Sequence, residues 1–400
     1  MTMQRLLITR YGSGIATSMF QDQELLQVHI EKEQDVSLLG NIYVGKVKNI
    51  VKNINAAFVE IENGQMCYLP ISEKETPIFC NSKNSDKICI GDELLVQISK
   101  DAIKTKSPSV TTKIQFVGKY CVVTYGDKRI GVSGKLKAPE QRQNWVKKIK
   151  EFLPKDHCFG VVVRTNAIHC EEGQLFAELE VLQKLMLQIV ETGKYKSCFS
   201  KIYQAPLGYL CDIRDGYDES IEEIVTDDKE IYDTIHAYLL NFQPSDVAKL
   251  VFYNDSMLTL NHLYGIETKI EKALQEKVWL NSGGYLIIQP TEAMNVIDVN
   301  SGKAIAGKKN TERHFLKINL EAAVEIAKQI RLRNISGIII IDFIDMEEEA
   351  SKKELIETLE REIKKDSVKT VFVDMTKLNL VELTRKKMRK SLAEQVKELK

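Results

Sequence analysis

The stretch Gly337-Ile338-Ile339-Ile340-Ile341-Asp342 limits what this 400-residue chain can fold into more than any other segment does. An unbroken isoleucine run predicts a strand buried on both faces, and strands of that kind present ligand sites at their carboxyl ends. A second stretch, Asn295-Val296-Ile297-Asp298-Val299-Asn300-Ser301-Gly302, ends in the same way. Asp298 and Asp342 therefore follow apolar strands directly, where ionised side chains can meet in a cleft. One such aspartate could equally cap a helix or satisfy a loop. The pair, with Asn300 beside the first, raises a Mg²⁺ site as a reading, because Mg²⁺ takes one or two protein carboxylates and keeps waters for substrate phosphates.

At this length two to four domains are expected. Apolar residues make up 44% and charged residues 28%, the balance of a folded water-soluble protein. No apolar run reaches membrane-spanning length, and the amino terminus runs straight into a strand pattern without a signal-peptide profile. Cys67, Cys80, Cys89, Cys121, Cys158, Cys170, Cys198 and Cys211 have no paired metal-ligand spacing. They read as free thiols in a reducing cytoplasm, and no zinc site is expected. The formal net charge of zero argues against a nonspecific polyanion binder. Local charge is uneven. Glu219, Glu222, Glu223, Asp227, Asp228 and Glu230 predict a solvated helix or loop face. Arg385, Lys386, Lys387, Arg389 and Lys390 predict either a solvated helix surface or a set of phosphate contacts.

Residues 4–30 read as three short strands. From 36 to 114 five alternating strands suggest a small closed barrel of the OB type. Phe58 and Tyr68 lie on its strands, either in the core or as stacking platforms, with Lys46, Lys100 and Lys106 available to phosphates. Strands at 120–125 and 129–133, a helix near 139–152, a strand at 160–165 and a helix at 173–192 follow. Arg164-Thr165 at a strand end could hold an anion or be plain surface. Residues 208–276 alternate strand and helix. The last block adds helices at about 311–333, with Leu316, Leu320, Ala323, Ala327 and Ile330 on one face, and at about 349–365, then a strand at 370–374.

Several segments stand together in order: Gly283-Gly284-Tyr285, Pro290-Thr291-Glu292-Ala293-Met294, Ile297-Asp298-Val299-Asn300-Ser301-Gly302, Asn319-Leu320-Glu321-Ala322-Ala323, Gln329-Ile330-Arg331-Leu332-Arg333 and Ile341-Asp342-Phe343-Ile344-Asp345-Met346. With Asn41-Ile42-Tyr43-Val44-Gly45-Lys46, Ala56-Ala57-Phe58-Val59 and Val163-Arg164-Thr165, they resemble the catalytic region of the bacterial ribonuclease E/G family over nearly the whole chain. The resemblance implies a multidomain α+β and α/β protein. An RNase H-like subdomain (1–35 and 208–276) would be interrupted by an OB-fold RNA-binding domain (36–114) and a 5′-sensor domain (115–207). A DNase I-like catalytic subdomain (277–400) would follow. It implies Mg²⁺-dependent cleavage of single-stranded RNA to 5′-phosphate and 3′-hydroxyl ends, stimulated by a 5′-monophosphate, in rRNA maturation and mRNA decay. By match to the family's motifs, Asp298 and Asp342 hold Mg²⁺, or Mn²⁺ in its place, and Asn300 orients it. Asp345 looks like a supporting position. Phe58, Tyr68 and Lys106 grip RNA, and Arg164, Thr165 and Lys369 form the 5′-phosphate sensor.

Three departures stand out. Lys369 replaces an arginine, Leu378-Asn379-Leu380 replaces Leu-Gly-Leu, and no Cys-Pro-x-Cys zinc-link segment follows the basic cluster before Lys400. The missing link leaves the assembly open, a homodimer being one possibility, and without a long scaffold tail the layout looks closer to the ribonuclease G branch of the family. A noncatalytic RNA-binding regulator with the same fold is the alternative. A DNA endonuclease would fit the metal site but not the single-strand-binding barrel.

Overall fold

The computed structural model describes residues 3–33, 37–72, 76–80, 83, 87–102, 107–134, 138–168, 170–216, 221–255, 257–302 and 311–399. The chain divides into two compact units. One comprises residues 1–35, 219–234 and 249–400, and the other 36–218 and 235–248. The chain passes between them four times.

In the first unit, strands Gln4–Tyr11, Gly14–Gln21 and Glu24–Lys32 form an antiparallel meander. The turns come at Gly12 and Asp22, both with positive φ, where the sequence places its breaks. Two later strands, Ile221–Thr226 and Leu250–Phe252, join in parallel to complete a five-stranded sheet. This corrects the reading of the acidic stretch as a helix or loop face, although Glu222 and Glu230 are exposed and Glu219 lies outside the described residues. Ile224 and Val225 are buried in that sheet, while Glu223 pairs with Arg5 at 2.7 Å and Asp228 with Arg10 at 2.6 Å. The charge count masked a short apolar run.

The same unit holds a six-stranded sheet whose order runs Lys277–Trp279, Tyr285–Pro290, Met294–Asn300, Gly337–Asp342, Leu380–Arg385, Thr370–Met375. Its inner face meets the helices Thr311–Leu332 and Glu349–Ile363 through a core of Leu286, Ile297, Ile339, Ile341, Leu355 and Leu383, among others. The isoleucine strand is buried on one face only. Ile339 and Ile341 are fully covered, whereas Ile338 is 47% exposed and Ile340 half-buried. Four identical residues conceal the alternation that a polar outer face would have displayed. The helix Thr311–Leu332 is rotated from its expected face: Ile318, Ala322, Ala323, Ile326, Ala327 and Ile330 are buried, and Leu316 and Leu320 only partly. The basic cluster is not a helix surface, and Lys386, Lys387 and Lys390 are exposed. It spans a strand end and a loop, and Arg385 is buried in an ion pair with Asp366 at 2.7 Å.

In the second unit, strands Ile42–Val51, Ala56–Glu60, Met66–Pro70, Glu93–Lys100 and Ser109–Thr111 close on themselves. The ladder is antiparallel except for the contact between the third and last strands. That closure is the five-stranded OB barrel anticipated at 36–114. A strand from farther along, Lys201–Tyr203, pairs with the first barrel strand and was not anticipated. Beside the barrel lies a four-stranded sheet, Gln115–Val117, Cys121–Tyr125, Ile130–Val132 and Phe159–Val163, with the helices Pro139–Phe152 and Glu172–Gly193.

Candidate active site and RNA-binding face

Asp298 and Asp342 are register partners on adjacent parallel strands. Residues paired across a ladder point to the same face, so both carboxylates leave the outer face of the six-stranded sheet at its carboxyl end. Asn300, two residues beyond Asp298, shares that face and donates from Nδ2 to Asp298 Oδ2 at 2.7 Å. The bond engages one oxygen of Asp298 and not the other. Burial, the Asp298 charge and then the Asp345 charge raise the Asp342 carboxyl above its ordinary range. A cation between the two carboxylates would favour the ionised form of Asp342. The donors are all oxygen, the hard set that Mg²⁺ prefers. Among the described residues no group of three or more His, Cys, Asp or Glu is gathered as a tighter metal cage. A site of two carboxylates fits an ion that keeps most of its waters.

Glycine positions permit the close packing beneath the site. A Cβ on Gly284 would stand 2.8 Å from the Asn300 carbonyl oxygen, and one on Gly302 would stand 2.5 Å from the Gly283 carbonyl oxygen. Gly302 also has φ +60°, a left-handed backbone that other residues adopt only with strain. The two backbones can approach because neither position has a side chain.

On the barrel, Phe58 and Tyr68 are direct cross-strand partners with ring centroids 6.2 Å apart and planes at 72°. Both are half-exposed, while their neighbours Val59, Cys67 and Leu69 fill the interior. The rings therefore belong to the outer face rather than the core. Lys46 and Lys48 on the neighbouring strand are paired with Glu93 and Glu60, and Lys100 is exposed. Lys106 lies outside the described residues.

Arg164 follows the strand Phe159–Val163, and its guanidinium is already engaged. It meets Asp215 Oδ1 at 2.8 Å and donates to the Gly118 carbonyl at 2.5 Å. Burial pushes the Asp215 acid upward, but Arg214 and Arg164 outweigh it and hold the acid below its usual range. Thr165 Oγ1 lies 3.2 Å from Ser133 Oγ. Lys369 is exposed and precedes the strand Thr370–Met375 in the other unit. Its neighbour Thr370 pairs with Arg385, which pairs with Gly337. It therefore stands at the end of the sheet opposite Asp342, whereas Lys377 is in the turn at the carboxylate end.

A family model described as "Ribonuclease E/G family" matches residues 115–388, and one for the S1 RNA binding domain matches residues 39–113. The chain belongs to the ribonuclease E/G family. Ribonuclease G of Escherichia coli K12 is 33% identical over 378 residues, which cover 92% of this chain and 76% of its own length. Ribonuclease G of Haemophilus influenzae is 32% identical over the same shares. Ribonuclease E of a Nostoc species is 31% identical over 365 residues, covering 89% of this chain and 52% of that protein. The chain is an endoribonuclease with an RNA-binding OB barrel.

Several further residues of this ribonuclease E/G member support the sites from behind. Asn319, fully buried on the helix Thr311–Leu332, donates to the Ile344 carbonyl at 2.8 Å and accepts from the Ile344 amide at 3.1 Å. That two-point clamp holds the loop just after Asp342. Glu321 accepts from the Asn281 and Ser282 amides at 2.6 and 3.1 Å, fixing the turn before Gly284. Glu178 accepts three successive backbone amides, Lys119, Tyr120 and Cys121, at 2.5 to 2.9 Å. It thereby anchors the turn whose Gly118 carbonyl receives Arg164. Asp345 is exposed and accepts from Asn379 Nδ2 at 3.1 Å. Polar residues inside otherwise apolar helical stretches were the available signal. No helix among the described residues is long and apolar enough to cross a membrane.

Proposed function

We propose that this endoribonuclease cleaves single-stranded RNA in the presence of Mg²⁺, leaves 5′-phosphate and 3′-hydroxyl ends, and is stimulated by a 5′-monophosphate on its substrate. The observation that carries the reading is the register pairing of Asp298 with Asp342, with Asn300 bonded to the first. When bound there, Mg²⁺ supplies a water of lowered pKa and a counter-charge for the phosphoryl oxygens. Asp298 and Asp342 would hold it, and Asn300 keeps Asp298 in the binding rotamer. Asp345 and its partner Asn379 fix the loop beyond Asp342. Phe58 and Tyr68 offer outward ring faces to successive bases, which stack without sequence preference.

The reading extends to architecture and setting. The five-stranded sheet assembled from distant segments is taken as the RNase H-like subdomain, and the final sheet with its two helices as the DNase I-like one. Precursor rRNA and mRNA in the cytoplasm are the proposed substrates, and a homodimer the proposed assembly.

Incubation of purified protein with single-stranded RNA bearing either a 5′-monophosphate or a 5′-triphosphate, with Mg²⁺ or with EDTA, tests the core of this reading. Asp298→Asn and Asp342→Asn should each remove most cleavage and spare RNA binding. Near wild-type cutting by either variant would sink the metal assignment. The 5′ sensor is a separate matter. Arg164 keeps donors for a phosphate beyond those given to Asp215 and Gly118, with Thr165 beside it; Lys369 is the third cation only by match to the family's motif. Because lysine offers a mobile point donor in place of a planar fork, the monophosphate should accelerate cleavage modestly and Lys369→Arg should enlarge the ratio. Arg164→Ala should bring the ratio close to one. If Lys377→Ala rather than a Lys369 variant moves the ratio, the third position has been misassigned.

A further inference from the structure

The six-stranded sheet carries a second cluster on the face that bears Asp298 and Asp342. The edge strand Lys277–Trp279 alternates, with Val278 packed against the core and its two neighbours outward. Trp279 is 65% exposed. It is the register partner of Tyr285, which is the partner of Asn300. Lys277 is the partner of Ile287, which is the partner of Asp298. The two rows lie side by side on one face, and Trp279 is two strand spacings, about 10 Å, from Asn300. The Trp279 and Tyr285 rings are 5.4 Å apart at 61°, and Lys277 Nζ sits 3.9 Å from the first centroid and 3.7 Å from the second.

We infer that Lys277, Trp279 and Tyr285 form a positioning platform on which a base of single-stranded RNA, near the cleaved bond, stacks while the ammonium meets its phosphate. The inference rests on the nuclease reading above and adds a substrate contact on the catalytic sheet itself. Guarding a sheet edge against pairing needs a lysine and no rings. An exposed Trp279 and a half-buried Tyr285 held by one cation are what single-strand binders offer, since every base has a π-face. The register places that surface next to Asn300 rather than on a remote edge.

The 400-residue chain with Trp145→Phe retains Trp279 as its one tryptophan, because the chain has two. It is titrated in EDTA with a short single-stranded oligoribonucleotide and with a duplex of the same sequence, binding being followed independently by anisotropy of a labelled strand. Tryptophan emission should fall saturably with the single strand and stay level with the duplex. With Mg²⁺, Trp279→Ala should raise KM roughly five- to hundredfold, the loss one base stack brings, with a smaller change in kcat. Trp279→Phe should recover most of it. Emission that stays level while the strand binds, or a wild-type KM in Trp279→Ala, overturns the platform. If the unaltered protein cuts no RNA with Mg²⁺, the nuclease reading falls instead, and the emission titration, which needs no turnover, still decides the platform.

Discussion

Asn379 occupies a left-handed backbone position, φ 61°, in the turn between the last two strands. This explains how asparagine stands where the family pattern has glycine. Asparagine tolerates that region better than most side chains, and its amide adds a bond to Asp345. Asn379→Gly should keep the turn and lose the bond, whereas Asn379→Ala should lose both and cost about 1–2 kcal/mol; urea unfolding of the two variants measures the difference. Asp342 provides a second check. Its raised acid range has burial, Asp298 and Asp345 as causes, so in the metal-free protein Asp298→Asn should lower it, as read by carboxyl NMR titration. The linkage has a definite sign. A carboxyl whose folded pKa lies above its unfolded one stabilises the fold most at low pH, and that contribution is lost as pH rises through the folded value. Asp298, Asn300 and Asp342 were legible in the sequence because apolar runs mark strand ends. Asn319 and Glu178 were not, because the amides they satisfy are 25 and 57–59 residues away and no local pattern announces such a pairing.

Elements were legible wherever periodicity was strong. The helix Pro139–Phe152 and the strands of the barrel lie where alternation and spacing place them. Faces were harder to read. The isoleucine strand lost its alternation to composition, and the acidic strand Ile221–Thr226 hid among charges that pair with arginines from the first strand. On the barrel, Phe58 lies outside the apolar core that its neighbours fill. Phe58→Ala should therefore leave thermal stability nearly unchanged and weaken single-stranded RNA binding by about 1–3 kcal/mol, measured by fluorescence anisotropy. The clamp from the helix Thr311–Leu332 makes the opposite prediction. Asn319→Ala leaves both polar groups of Ile344 unpaired in a part-buried place and should cost about 1–3 kcal/mol in chemical denaturation. Cleavage should fall with it, since the released loop follows Asp342.

The barrel is continuous in sequence yet not self-sufficient. Ile42, Val44 and Leu95 from its strands are buried in the core of the neighbouring sheet and helices, alongside Leu179 and Met186. A fragment of residues 36–114 should therefore expose them and bind more hydrophobic dye than residues 36–218, which keep that core; dye fluorescence of the two fragments decides it. The other unit is interrupted more severely. Its first strand, Gln4–Tyr11, takes Ile221–Thr226 as its parallel neighbour. On the ribosome those partners emerge some 210 residues apart, an interval of about 10–40 s at ordinary elongation rates. During that interval the nascent meander has an open sheet edge, ready to pair with any stray strand. The sheet built from the earliest residues is thus among the later ones to be finished, and the cell must shelter its beginning until the middle of the message has been read.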